Sequence, residues 1–364
     1  MAAGDQHLPA VHATPNLRWG ILGTARINDR FIEAVGNSDR STVVAVASRN
    51  AEHAVEYARS KGIPQGLSGY QALIDAPGID AVYVSLPNSL HAEYVIKLGE
   101  AGKHVLCEKP LALTSADVAA IRAAALATGV VIQEATATRF QEQTSYVADM
   151  VQSGEIGEVC SAQASFGFLL PGGPDIRLQS ELGGGALWDL GCYPISYFQA
   201  ILQENPTYVT GVSKRRSMGV DMTFSAQLEY ASGAVVQFVV SMEVPPNRSA
   251  QITGSKGMIT IDYPWGNPIG AQRVLRIDRM SAQQGTGTFG DDPSVIESES
   301  VIFASDDAYF DELVAFEDII LEGRTSPFPL TDSLANTAVL VALHESAASG
   351  CRTKVNSSRR PEGR

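Results

Sequence analysis

Between residues 17 and 137 the hydrophobic pattern switches repeatedly between two periods. LRWGILG, TVVAVAS, DAVYVSLP, HVLCEK and VVIQEAT are short, nearly continuous apolar runs rich in β-branched residues. Between them ARINDRFIEAVGNS, AEHAVEYARSKG, HAEYVIKLGEAG and DVAAIRAAALATG carry apolar residues at helical spacing. Gly62 stands where a helix C-cap glycine belongs, and Thr114 with Asp117 reads as a capped helix start. Strands alternating with helices of about 10–15 residues build βαβ units, hence a doubly wound parallel sheet with helices on both faces.

From residue 138 the pattern changes. SYVADMVQSGEIG is helical, but CSAQASFGF, MTFSAQLEY, AVVQFVVSME, SAQITGS, MITIDY and RVLRIDR read as strands, several with period-2 alternation. Strands that follow strands predict a large, mostly antiparallel sheet with one open face. Two helices, AYFDELVAFEDIILEG and TDSLANTAVLVALHESAASG, close the pattern on either side of TSPFPL. The expected chain is α/β: a flexible tail at 1–16, a nucleotide-binding domain at 17–137 and an α+β substrate and oligomerisation domain at 138–330. A helix at 331–352 packs back on the first domain, and 353–364 form a second tail.

Composition narrows the function classes. Hydrophobic residues make up 45% and charged residues 18% of the 364, as in ordinary soluble globular chains. A formal net charge of −13 repels a nucleic-acid backbone, so no nucleic-acid partner is expected. No run approaches the roughly 18 apolar residues of a membrane helix. MAAGDQHLPAVHATPN lacks the basic start and apolar core of a secretory leader. Cys107, Cys160, Cys192 and Cys351 form no CxxC pair, which points to reduced thiols in a cytoplasmic protein and to no metal site.

Residues 17–28 order a strand, a tight turn and a helix start. Set against G-x-G-x-x-G/A, Gly23 takes the first glycine position, Ala25 the second and Asn28 the third. The second strand ends on Ser48 and Arg49, with no carboxylate before Glu52. An arginine there pairs with a 2′-phosphate, which favours NADP(H) and leaves NAD(H) as the alternative; a plain solvated arginine is the bland reading. Two further features, LPNSLH at 86–91 and CEKP at 107–110, end strands on the side where such sheets bind ligands. Partial desolvation there is expected to lower the Lys109 pKa. In GGGALWDLGCYPISYF, Asp189 and Tyr193 are four apart, on one face if the segment is one helix, or either side of a hinge if Pro194 divides it.

WGILGTARI, ASR, VYVSLPNSLHAEYVIKLGEAGKHVLCEKPLALT, GEIGEV and RLQSELGGGALWDLGCYP, in this order, resemble the Gfo/Idh/MocA oxidoreductases across nearly all of 17–350. The branch resembled contains glucose–fructose oxidoreductase, dimeric dihydrodiol dehydrogenase and sugar 3-ketoreductases. The resemblance implies an N-terminal Rossmann domain and hydride transfer between nicotinamide and a carbinol or ketone carbon of a sugar, nucleotide sugar or polyol. It implies Tyr193 as general acid/base, Lys109 beside the reacting oxygen and Asp189 orienting substrate or lysine. Gly23, Thr24, Ala25, Arg26 and Ile27 would follow the cofactor phosphates, and Ser48 and Arg49 the adenosine ribose. Leu86, Pro87, Asn88, His91 and Glu108 would flank the reactive half, with Pro110 stiffening the turn.

Arg139, Phe168, Arg177 and Trp188 are substrate candidates beside Asp189, Arg177 either meeting a phosphate or hydroxyl or standing as a salt-facing loop residue. Segment 134–142, EATATRFQE, departs from the branch's aromatic-rich pattern and would lie beside the substrate pocket. The open sheet implies a homodimer or homotetramer. A trans-dihydrodiol dehydrogenase and a non-catalytic dinucleotide sensor are the rival readings.

Overall fold

Of the six residues of β1 (Leu17–Leu22) only Arg18 is exposed, the pattern of a strand covered on both faces. The computed structural model describes residues 16–215, 219–266, 272–280, 296–303 and 307–356. In it β1 is central to a six-stranded sheet ordered β3-β2-β1-β4-β5-β6, all neighbours parallel. The other strands are β2 (Ser41–Ser48), β3 (Gln65–Ser68), β4 (Ala81–Val84), β5 (His104–Glu108) and β6 (Ile132–Ala135). Helices α1 (Asn28–Gly36), α2 (Ala51–Lys61), α3 (Tyr70–Asp75), α4 (His91–Glu100) and α5 (Ser115–Thr128) connect them. The expected caps are in place: Thr114 accepts from Asp117 N, and Gly62 ends α2 in the left-handed region.

Helix α6 (Glu142–Gln152) leads to β7 (Val159–Leu169), and α7 (Cys192–Leu202) to β8 (Tyr208–Arg215), β9 (Asp221–Glu229) and β10 (Val235–Ser241). Then come β11 (Glu243–Gly254), β12 (Gly257–Asp262), β13 (Arg273–Met280) and β14 (Ile296–Phe303). Together with β15 (Thr353–Lys354) these build a nine-stranded sheet, antiparallel except for the β7–β10 pair. Its alternating residues Phe224, Leu228, Val236 and Phe238 are buried in one core with Phe198 and Ile201 of α7. On the other face Val212 and Val239 are exposed.

Two late helices return to the first sheet. Helix α9 (Leu330–Ser349) packs on α5 as well as on α7 and β8. The sequence pattern assigns 308–322 to the second unit, but α8 (Ala308–Glu322) lies against α1, with Phe316 5.4 Å from the Trp19 ring. The expected 353–364 tail is corrected in part, since Thr353 and Lys354 pair with Val209 and Tyr208. The rest of that tail from 357, and the first 15 residues, lie outside the described residues. Among the described residues no helix is long and apolar enough to cross a membrane.

What fastens α8 is a buried acid. Glu317, with a fully buried side chain, receives Ser38 Oγ, Ser41 Oγ and the Arg40 guanidinium, at 3.0 Å for Nη2. Trp19 Nε1 donates to the same Ser41 at 2.9 Å. Arg40 also meets Asp318 at 2.8 Å and Glu322 at 3.2 Å, so loss of Glu317 chiefly leaves the Ser38 and Ser41 hydroxyls without their acceptor, at about 1–3 kcal/mol for each buried group, whereas exposed pairs contribute little. Glu317→Leu is therefore expected to lower the urea midpoint strongly and Arg18→Ala, at the exposed Asp80 pair, hardly at all. Equal midpoints for the two variants would refute this role for Glu317.

Candidate active site

A cleft of about 480 Å3 opens where the carboxyl ends of β1, β2, β4 and β5 meet the loop 174–184 and the start of α7. Gly23 turns β1 into it with φ +109°, and an added Cβ would lie 3.1 Å from Ser85 O. A side chain is excluded by both conformation and space. Asn28, in place of the third glycine, braces the turn by donating to Gly23 O at 3.0 Å. Helix α1 starts with no side-chain cap; the amides of Asn28, Asp29 and Arg30 donate instead to Ala25 O, Arg26 O and Ile27 O of the tight turn.

Of the residues expected around a cofactor, Gly23 to Ile27, Arg49, Leu86 to Asn88, Glu108 and Lys109 line this one cleft. Ser48 does not; it is buried beneath the turn, its Oγ 3.5 Å from Asn50 N. His91 is also behind the wall. Its ring nitrogens lie 2.8 Å from Pro110 O and Leu86 O, tying the two strand-end turns together. Burial lowers its pKa and outweighs the two carbonyls, which favour the charged ring. Pro110, after a cis Lys109–Pro110 bond, takes part through that carbonyl.

The catalytic candidates converge. Lys109 Nζ donates to Asp189 O at 2.7 Å and Oδ1 at 3.0 Å, and lies 4.8 Å from the Tyr193 ring centroid. Arg177 Nε donates to Asp189 Oδ2 at 2.8 Å. Residues 187–191 form a π-turn that runs into α7, so Asp189 and Tyr193 are not on one regular helix. Pro194, five residues beyond Asp189, has no N–H for a π-register bond to that carbonyl, and Lys109 occupies it. Asp221 of β9 fixes the start of the turn, accepting Leu187 N at 2.7 Å. Gly185 passes so close that an added Cβ would lie 2.3 Å from Asp221 Oδ1.

Charge settles the protonation states. Burial acts to lower the Lys109 pKa, but Asp189 foremost among its neighbours holds it well above the ordinary lysine value. This corrects the expected lowering: the amine stays a cation. Burial likewise raises Asp189, yet Lys109 and Arg177 bring it below the usual carboxylate range. Tyr193 is pushed up to about 12 by burial, against the pull of Lys109. Glu108 is raised by burial and accepts a short hydrogen bond from Tyr83. A phenol held against a fixed cation can give a proton to, or take one from, an oxygen in the cleft.

The other substrate candidates lie elsewhere. Arg139 is buried against Asp332 at 3.1 Å and donates to Ser196 O at 2.9 Å, where it anchors α9. Trp188 tilts against His344 at 4.9 Å, and Phe168 packs on the second core. No residue of 134–142 lines the cleft, which corrects the expected position of that segment. Tyr70, Asp175 and Tyr309 line it unforeseen. Tyr70 opens α3 just past β3, at a strand end where the ligand rule could have found it. Tyr309 comes from α8 and has no local signal.

Residues 17–136 match the family model described as "Oxidoreductase family, NAD-binding Rossmann fold", and 144–260 match "GFO/IDH/MocA C-terminal domain". The chain is 31% identical over 341 residues to D-xylose 1-dehydrogenase (NADP(+)) 2 of Haloferax volcanii, covering 93% of this chain and 100% of that one. It is 36% identical to dTDP-3,4-didehydro-2,6-dideoxy-alpha-D-glucose 3-reductase of Saccharopolyspora spinosa, over 72% of this chain and 80% of the relative. Among solved structures, a 3-ketoreductase from Actinomadura kijaniata in complex with NADP and TDP-benzene superposes with TM-score 0.81 at 30% identity. That match covers 91% of this chain and 98% of the other. On the evidence of fold, site and near full-length likeness, this chain belongs to the Gfo/Idh/MocA family of oxidoreductases.

Proposed function

We propose that the chain is an NADP(H)-dependent oxidoreductase acting on a carbinol or ketone carbon of a sugar or sugar-like ring. The observation that carries this reading is the buried Lys109 cation, fixed on Asp189 and facing the Tyr193 phenol. The residues fit a dinucleotide: a glycine turn without room for a side chain, leading from the first strand into a helix, and Arg26 and Arg49 on the same cleft. When bound, the nicotinamide supplies or accepts the hydride.

The chain's own residues manage the proton. Tyr193, protonated at neutral pH, donates to the oxygen that gains charge during reduction and takes the proton back in oxidation. Lys109 faces the phenolate so formed, in a site largely closed to water, where a fixed charge acts strongly. Asp189 keeps that ammonium in place and ionised. Tyr193→Phe and Lys109→Met are each expected to lower kcat by about 10²–10⁴-fold while NADPH still quenches protein fluorescence. In the wild type, ketone reduction should fall and alcohol oxidation should rise as pH climbs towards 12 and Tyr193 loses its proton. Full activity in either variant removes the proton-transfer reading, and a wild type that binds NADPH without turnover favours the dinucleotide sensor.

Arg49 is the proposed 2′-phosphate partner. A charge-assisted pair contributes about 1.5–3 kcal/mol, or about tenfold to a hundredfold in affinity. Arg49→Ala should weaken NADPH binding by that factor and leave NADH unchanged; equal effects on both would reopen NAD(H).

The open face of the nine-stranded sheet is the proposed pairing surface. A shallow groove there is lined by Gln163, Val212, Gln227, Gln237 and Val239, neutral residues suited to another copy of the same face. Light scattering should give a dimer or tetramer at micromolar concentration, and a monomer would refute the assignment.

A further inference from the structure

Arg177 lies between two carboxylates. Its Nε donates to Asp189 Oδ2 at 2.8 Å, and its Nη1 faces Asp175 Oδ2 at 3.3 Å. The backbone is held as well: Arg177 N donates to Asp175 Oδ1 at 2.9 Å, and Arg177 O accepts Gly185 N at 2.9 Å. An added Cβ on Gly184 would lie 2.5 Å from that carbonyl, so the glycine run lets the loop close around Arg177. Asn88 pins the loop to the first unit by donating to Gly183 O at 2.8 Å.

The resulting line of charges is Asp175, Arg177, Asp189, Lys109, and its two anions and two cations cancel. Beyond Asp175 the next cation, Arg26, is 4.0 Å away with an 86% exposed side chain, a loose contact on the glycine-turn side. A substrate phosphate brought to Arg177 would meet a guanidinium already shared between two carboxylates, with Lys109 held on the far side of Asp189. Two anions and two cations at such distances leave little net attraction for a further anion.

Resting on the oxidoreductase reading above, we infer that Arg177 is a positioning residue that sets Asp189 and through it Lys109, and that the substrate is an uncharged sugar with no phosphate on the reacting ring. Of the sequence-based alternatives for Arg177, a substrate phosphate or hydroxyl contact or a salt-facing loop residue, this sets the phosphate contact aside. It also refines the substrate class: the other two guanidiniums that line the cleft, Arg26 and Arg49, stand at the proposed cofactor phosphates.

The pH behaviour follows from the groups around Asp189. Lys109 and Glu108 face it from the β5 turn, Arg177 from the loop, Cys192 and Tyr193 from α7, and Tyr309 reaches the same end from α8. Burial alone would raise Asp189, and Lys109 and Arg177 reverse that. The ionised form is the working form above its folded pKa. Removing Arg177 therefore moves the acid limb of kcat to higher pH.

The test uses the full chain and the variants Arg177→Met and Arg177→Lys, with free aldoses and their phosphate esters as substrates. Arg177→Met should lose about 10²-fold in kcat with little change in KM, shift the acid limb upward, and leave the NADPH titration unchanged. Arg177→Lys should recover part of kcat. The wild type should prefer the free sugar, and the Met variant should keep the same preference. A wild type that prefers the phosphate ester, with that preference abolished in Arg177→Met, would overturn the inference in favour of an anion anchor. Urea unfolding of Arg177→Met, Asp189→Asn and the double variant gives a readout independent of turnover. Non-additive losses are expected, and additive ones would overturn the positioning role. Absence of turnover in the wild type with every sugar and ester would instead defeat the oxidoreductase reading, while the unfolding cycle would still decide Arg177.

Discussion

The contact on which this site depends is the buried ion pair between Lys109 and Asp189, because it joins the two halves of the chain. The lysine ends a strand of the parallel sheet and the aspartate belongs to the turn entering α7. Taking two such ions out of water costs several kcal/mol each, which one contact does not recover. Here the ammonium has two oxygens of Asp189, and the carboxylate has two cations, one on each oxygen. That double satisfaction is what makes the burial tolerable. The chemistry is therefore assembled only when both halves are folded and docked.

The same contact explains the irregular backbone. A regular helix through Asp189 and Tyr193 would keep the Asp189 carbonyl among helical bonds. The π-turn widens the chain just before a proline and turns that carbonyl to the lysine. Asp221 holds the turn from the sheet below, and Gly185 makes the space for it. Local irregularity at this point is thus a consequence of what the site must bind.

Much of this was legible from spacing. Continuous apolar runs separated by helical spacing gave away the doubly wound sheet, since strands buried on both faces leave no alternation. The ends of those strands located Gly23, Arg49 and Lys109, because the topology puts ligands there. Charge partnerships were not legible. Arg139 and Arg177 look alike as loop arginines, yet one meets Asp332, far along the chain, and the other meets Asp189. His91 sits in a motif that ends on the cleft, but both its ring nitrogens point backwards. A residue's type reports that it needs a partner, and only the packing of distant segments says which. Tyr309 and the return of α8 belong to the same class.

The lysine's sign of shift carries the final step. A neutral amine at this position could itself exchange a proton, which is what lowering by desolvation would have provided. Asp189 forecloses that by holding the charge on. Glu108, next in the chain, adds to the hold on the same ammonium, after Asp189. Its burial raises its pKa, and its oxygen is engaged by Tyr83. Asp189 remains foremost among the groups that hold the charge, and the ammonium lies over the Tyr193 ring. Under the proposed function, proton transfer falls to the phenol and charge stabilisation to the amine, a division of labour that follows from a buried cation kept charged by its neighbouring acids.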